Sequence, residues 1–365
     1  MDKNKILTIL GARPQFIKAA ALSRWLKTIK NIQEIIVHTG QHFDRNMSDV
    51  FFSEMQIPFP DYNLRISGLN HGAMTGRMME GIEKIVLKEK PNAMLVYGDT
   101  NSTLAGALVG SKLHIPVIHV EAGLRSFNMR MPEEINRILT DRISSLLLCP
   151  TEQAITNLKN EGFESFDVQI YHVGDVMEDA ALLYSQTSGE RSNVISVNGL
   201  DSSEFSLLTC HRAENTNDAA RMQSIIDGIN EVAKVNRVVW PVHPRLAKKV
   251  KEYQLSEDIL CIEPVGYFDM IELLKHCNLV LTDSGGLQKE AYFFNKFCLT
   301  IRDQTEWVEL VDHGFNVLVG ADSTEILTQF KRYYRKRFDS KVDLYGGGKA
   351  SKKIALLIDE FLGSL

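Results

Sequence analysis

Short, mostly apolar runs alternate along the chain with stretches in which apolar side chains recur every three or four positions. The runs at 5–10, 34–38, 93–97, 116–120 and 146–149 predict buried strands. Between them, 14–27, 47–55, 73–90, 102–114 and 133–142 carry the helical period. Strands that alternate with helices in this way form a parallel sheet covered on both faces. The rhythm pauses over 189–203, which is rich in Ser, Asn and Gly, and then resumes. Strands are predicted at 205–209, 237–242, 259–262, 279–282 and 297–301, with helices at 219–234, 244–253, 267–276, 286–295 and 324–337. The pattern predicts an α/β chain of two Rossmann-like doubly wound domains in series, an N-terminal one over 1–172 and a C-terminal one over 173–348. A break at Gly346-Gly347-Gly348 precedes a last amphipathic segment, 349–365, which is free to pack back on the first domain.

Length supports the division, because 365 residues exceed one ordinary core. A hydrophobic fraction of 44% with 24% charged residues is ordinary for globular proteins. A net charge of −5 argues against a nucleic-acid groove. No apolar run approaches the roughly 20 residues that cross a bilayer. The opening strand-like run is too short for a signal-peptide core, so a cytoplasmic protein with no membrane association is expected. Five scattered cysteines without a CxxC pair read as reduced, buried thiols, and no metal framework is visible.

In open parallel sheets ligands bind beyond the carboxyl ends of the strands, and with two such sheets a cleft between them is the default site. The residues just past each strand therefore matter most. Gly11-Ala12-Arg13-Pro14 opens a helix and offers Arg13 and, one turn on, Lys18; a plain helix start with a surface Arg is the alternative. Asp99, after Gly98, is either a helix cap or a functional acid. Glu121 interrupts an apolar run and calls for a partner if buried. Glu133 and Glu134 come after Pro132, where acids also simply suit a helix dipole. His211 comes after another strand; a lone histidine there is more often structural, with an acid–base or anion-binding group as the alternative. The run Asp283-Ser284-Gly285-Gly286 ends a strand and opens a helix, so its free N–H groups form an anion site that suits a phosphate, and Glu290 one turn on can accept ribose hydroxyls. A tight turn without a ligand is the alternative.

In order along nearly the whole chain, GARPQFIK (11–18), GQH (40–42), YGDTNSTLAG (97–106), HVEAGLRS (119–126), PEEINR (132–137), HRAEN (211–215), PVHP (241–244) and DSGGLQKEA (283–291) resemble the non-hydrolysing UDP-N-acetylglucosamine 2-epimerases, which have the glycosyltransferase-B architecture. The resemblance implies UDP binding by Ser284, Gly285, Gly286 and Glu290, with Arg13 and His211 around the diphosphate. It implies catalysis by Asp99, Glu121, Glu133 and His211, with Lys18 and Arg137 also in the active site. It implies a homodimer, a UDP-sugar as the only partner, and no cofactor or metal. Its chemistry is elimination of UDP to a glycal and re-addition after the C2 proton returns on the other face. GARPQFIK, FNMRMPEE, QKEA and TEWVE look like the branch acting on UDP-2,3-diacetamido-2,3-dideoxy-glucuronic acid, as against UDP-N-acetylglucosamine. There Lys289 replaces an acid, Trp307 replaces an arginine and Arg130 adds a cation, so Arg130 and Lys289 are candidate contacts for a sugar carboxylate. At the activator site of the bacterial enzymes Gln41 and His42 remain but Asp44 stands where glutamine is usual, so strong activation by substrate is not expected. The rivals are a UDP-sugar glycosyltransferase, a hydrolysing 2-epimerase and a nucleotide-sugar sensor. A dehydrogenase is disfavoured by the missing GxGxxG loop.

Overall fold

The computed structural model describes residues 3–41, 57–336, 338 and 342–365. The expected helix at 47–55, His42, Asp44 and the end of the segment 324–337 lie outside the described residues. The chain forms two compact units, one running to Ala180 and taking back Asp343–Leu365, the other Ala181–Val342.

In the first unit, β1 (Asn4–Leu10), β2 (Ile32–His38), β3 (Tyr62–Asn63), β4 (Ala93–Tyr97), β5 (Val117–Val120), β6 (Leu146–Cys149) and β7 (Gln169–His172) make one sheet. Its order is β3-β2-β1-β4-β5-β6-β7, and every pairing is parallel. The central strands are mostly apolar because helices cover both faces, with Thr8 and His119 the buried polar exceptions in β1 and β5. One core joins Leu7, Ile9, Val37, Met94 and Val96 of the sheet to Met78, Ile82 and Ile85 of α2 (His71–Glu89) and Ala105 and Val109 of α3 (Asn101–Lys112). On the way lie α1 (Arg13–Leu26), α4 (Pro132–Ile143), α5 (Glu152–Asn160) and α6 (Val176–Ser185).

The second unit has β8 (Phe205–Thr209), β9 (Arg237–Pro241), β10 (Ile259–Ile262), β11 (Val280–Thr282), β12 (Cys298–Thr300) and β13 (Asn316–Leu318), with the order β10-β9-β8-β11-β12-β13. Its longer helices are α7 (Ala219–Ala233), α8 (Tyr267–His276), α9 (Gly285–Phe293) and α10 (Ser323–Tyr333); α11 (Ala350–Gly363) returns to the first unit. There α11 packs on α1 and buries Ile354, Ile358 and Phe361.

Two expectations need correction. The boundary falls inside α6 instead of at 172, because the start of α6 is tied to the returning chain. Glu178 accepts from the Gly348 amide at 3.2 Å, and Asp179 accepts from Ala350 and Ser351 at 3.1 and 2.6 Å, capping α11. The segment 244–253 is a series of turns and a short 3-10 stretch, Lys249–Glu252, not an α-helix. The Leu246 amide bonds back three residues to His243 O, and the Arg245 amide donates to the His243 ring. No described helix is long and apolar enough to cross a membrane.

Candidate active site

In each sheet the chain first runs outward on one side of the opening strand and then jumps to the other. The switch points are β1/β4 in the first unit and β8/β11 in the second. Strand ends at such points leave a crevice lined by loop backbones. The loops after β1, β4, β8 and β11 are those carrying Arg13, Asp99, His211 and Ser284.

In the first unit, Gly98 turns the chain with φ of +60° and presents half-buried Asp99. Asp99 Oδ2 accepts from Arg137 Nη2 at 2.5 Å. Burial raises the Asp99 pKa above its ordinary value; Arg137 and Lys18 oppose this, and Glu121 and Glu133 add to it. Those influences put Asp99, Glu121, Glu133, Lys18 and Arg137 in one electrostatic neighbourhood. Glu121 follows β5 in a left-handed conformation, φ +71°, unusual for a residue with a side chain. Its amide and that of Ala122 both donate to Leu148 O, at 3.0 and 3.2 Å. Its carboxylate is ion-paired with Lys18 of α1. Strain of this kind, about 1–3 kcal/mol, persists where surrounding bonds over-determine the conformation. Glu133 is exposed in the first turn of α4.

Three polar residues behind these carboxylates escaped the sequence reading as site-building groups. Gln15 accepts from the Gly11 and Ala12 amides at 2.8 and 3.0 Å, and donates to Tyr97 O, Thr100 and Thr103 at 2.7, 3.0 and 2.9 Å. It thereby joins the loop after β1 to the loop after β4. Asn136 donates to Asp99 O at 2.9 Å. Glu134 is 1% exposed and accepts from the Ser126 amide and hydroxyl, the Phe127 amide and Arg137. Burial would raise its pKa, but these bonds outweigh burial and hold it low. The only local signal for Glu134 was its place in the first helical turn, which a dipole explains equally well.

In the second unit, the fully buried Asp283 accepts from the His211 and Arg212 amides, each at 2.9 Å, and from Asn215 Nδ2 at 3.1 Å. One carboxylate thus fixes the loop after β8 against the loop after β11. Ser284 caps α9 by accepting from the Leu287 amide at 3.5 Å. A Cβ added at Gly286 would meet nothing within 4 Å, so this helix start is open to a guest. A Cβ at Gly285 would overlap Glu306, which Arg302 holds at 2.8 Å. Trp307 Nε1 donates to Gly285 O at 2.9 Å and braces the turn. Glu290 is half-buried one turn along α9. The His211 ring lies 3.5 Å from Asp283 and stacks on His243, with centroids 5.5 Å apart.

Arg13 is half-buried at the start of α1, and Arg130 is exposed on the loop before α4. Lys289 corrects an expectation. It is 3% exposed, on the inward face of α9, with its ammonium 4.0 Å from the centre of the Trp307 ring. A cation packed into the domain in this way is not offered to a sugar. The replacements at Lys289 and Trp307 named above therefore contact each other. Four cysteines are buried, but Cys261 on β10 is exposed. Among the described residues no group of His, Cys, Asp and Glu is arranged to hold a metal ion.

Two doubly wound α/β units, one with a cluster of carboxylates and the other with an open helix start after β11, define an enzyme of the glycosyltransferase-B architecture. The chain belongs to the UDP-N-acetylglucosamine 2-epimerase family, whose model matches residues 24–359, and the family's members are isomerases. It is 56% identical over 362 residues to the UDP-2,3-diacetamido-2,3-dideoxy-D-glucuronate 2-epimerase of Pseudomonas aeruginosa, covering 99% of this chain and 100% of that one. It is similar to the crystal structure of the Methanocaldococcus jannaschii UDP-GlcNAc 2-epimerase in complex with UDP-GlcNAc and UDP, at TM-score 0.85 and 42% identity over 98% of this chain and 99% of that one. The Neisseria meningitidis UDP-GlcNAc 2-epimerase bound to UDP-GlcNAc matches at TM-score 0.87 and 31% identity, over 98% and 100% of the two chains.

Proposed function

We propose that this enzyme inverts C2 of a UDP-linked N-acetylated hexosamine without net hydrolysis, and that UDP-2,3-diacetamido-2,3-dideoxy-glucuronic acid is its substrate. The observation that carries the reading is the grouping of Asp99, Glu121 and Glu133 with Lys18 and Arg137. Burial raises the Asp99 pKa, against the pull of Arg137, and the Glu121 carboxylate is ion-paired with Lys18. Carboxylates gathered in this way can take a proton from carbon and return one.

In the forward direction Glu121 takes the C2 proton as the C1–O bond breaks. UDP leaves with that electron pair and a C1=C2 glycal remains. Asp99 then returns a proton to the opposite face of C2, and a UDP oxygen attacks C1. Glu133 is the third carboxylate available for these transfers. The leaving diphosphate is stabilised by the amides of the turn at Ser284, Gly285 and Gly286, with His211 and Arg13 as further donors and Glu290 on the ribose. The 56% identical Pseudomonas enzyme supports the uronate, as does exposed Arg130 just ahead of Glu133. The UDP-GlcNAc held by the Methanocaldococcus enzyme supports UDP-N-acetylglucosamine as the second reading. The same reading has the enzyme acting in the cytoplasm as a homodimer, supplying surface polysaccharide synthesis.

The test is incubation with each UDP-sugar alone, followed by NMR of the anomeric protons. An epimer mixture, formed faster from the uronate and without accumulating free UDP, is expected. No reaction without an acceptor would point to a glycosyltransferase, and release of UDP with free sugar to a hydrolysing enzyme.

A further inference from the structure

Behind Asp99 and Glu121 lies a polar residue that the reaction above does not use. His119, on β5 two residues before Glu121, has no solvent exposure. Its Nδ1 lies 2.7 Å from Asp141 Oδ1, and its Nε2 lies 2.7 Å from Gly98 O. Both partners are acceptors. The carbonyl has no hydrogen to give, and Asp141 is a carboxylate also ion-paired with Arg125. Both ring contacts are hydrogen bonds only when both nitrogens carry hydrogen, which is the imidazolium.

The second oxygen of Asp141 accepts from the Gly123 amide at 3.1 Å and from Arg125 Nη1 at 2.7 Å. Arg125 also donates twice to Glu161, at 2.7 and 2.8 Å. With a charged His119, the buried Asp141 faces two cations, and Arg125 is also paired with the exposed Glu161. Asp141 therefore grips the chain on both sides of Glu121, at 119 and 123. Through the far ring nitrogen the same pair grips Gly98, the residue before Asp99.

We propose that His119 and Asp141 form a buried ion pair that positions Asp99 and Glu121 relative to each other, an inference that rests on those two carboxylates moving the C2 proton. His119 touches no substrate in this scheme; it is a positioning residue. Its charge anchors the carbonyl that begins one acidic turn, and its partner anchors both ends of the other.

The test uses the full-length enzyme with 15N-labelled histidine, the His119 signal being assigned by its absence in His119→Gln. Two protonated ring nitrogens, each bonded to the acceptor described above, are expected at neutral pH. A neutral ring with one bare nitrogen overturns the ion pair whatever the enzyme catalyses. The companion variant is Asp141→Asn, whose amide can donate to a neutral His119 while Nε2–H stays on Gly98 O, so shape is kept and charge is lost. The variant is expected to remain folded and to keep KM within about twofold. Its kcat is expected to fall roughly 10-fold or more, the usual scale for partners one shell behind a site, and a limb of its pH–rate profile is expected to move. Parental kcat with a parental profile overturns the positioning role. A parent enzyme that exchanges no C2 hydrogen sinks the proton-transfer reading and the positioning role with it, while the nitrogen spectrum still reports the ion pair.

Discussion

Replacing Gly98 with alanine perturbs the acid–base cluster at one atom. The backbone there has φ of +60°, and a Cβ built on it lies 3.1 Å from Glu121 Oε2. The substitution has two effects, and their sizes separate them. The left-handed conformation costs an alanine about 1–2 kcal/mol relative to glycine. In a unit of this size that lowers the unfolding midpoint by roughly 2–8 °C, and it leaves the protein overwhelmingly folded at 25 °C, since native domains hold about 5–15 kcal/mol. The contact is tighter than carbon and oxygen normally tolerate, so the Glu121 carboxylate must retreat by a few tenths of an ångström and draw Lys18 with it. A displacement of about 1 Å in a catalytic group can cost around 100-fold; the smaller shift is expected to cost roughly 3- to 10-fold in kcat. The assay is kcat and KM by NMR of the anomeric protons, with thermal unfolding on the same sample. Parental kcat beside the expected drop in midpoint would refute the claim that Glu121 works from this position.

Other substitutions probe different parts of the account. Asp283→Asn turns an amide hydrogen toward donors that now meet an oxygen, so we expect a loss of about 1–3 kcal/mol in stability and weaker UDP binding by calorimetry; parental UDP affinity would contradict the role of Asp283 in building the turn. Lys289→Met is expected to leave KM unchanged and to lower stability by about 1–2 kcal/mol as the contact with Trp307 is lost; a large rise in KM would return Lys289 to the sugar. Glu178, buried and facing Asp343, Asp175 and Asp179, has its pKa raised from 4.5 to about 7. The folded state therefore binds this proton more tightly than the unfolded chain, and stability is lost as pH rises from about 4.5 to about 7, by up to about 3 kcal/mol at ~1.4 kcal/mol per unit. Glu178→Gln should flatten the pH dependence of urea unfolding over that range and stabilise the protein above about pH 7; an unchanged slope would count against it.

The strands were legible where the sheet is buried on both faces. ILTIL, AMLVY and LLLC have no polar face to confuse with a helix. The two-residue β3, the partly exposed edge strand β7 and the short β13 lack that signature, and their place depends on a neighbouring strand that local pattern does not encode. PRLAKKVKEY carries a helical period over 244–253, yet only Leu246 and Val250 are buried there besides Val242 just before it. Asp99 stood out as a carboxylate at a strand end beside a glycine, and Glu121 because it interrupts an apolar run. Gln15, Glu134 and Asp141 did not, because their partners lie on other elements and only folding brings them together. The direction of Lys289 was illegible for a similar reason: at a helix start packed on both sides, a one-residue step separates the open face from the interior.

The central claim is that the C2 hydrogen leaves the sugar and comes back from the enzyme. Turnover of the UDP-sugar in deuterium oxide, read by the proton signal at C2 of the inverted product, tests it directly. The account predicts deuterium at C2 in the product, with Glu121→Gln still binding UDP yet failing to invert or exchange. Inverted product that keeps its original hydrogen at C2 would contradict it.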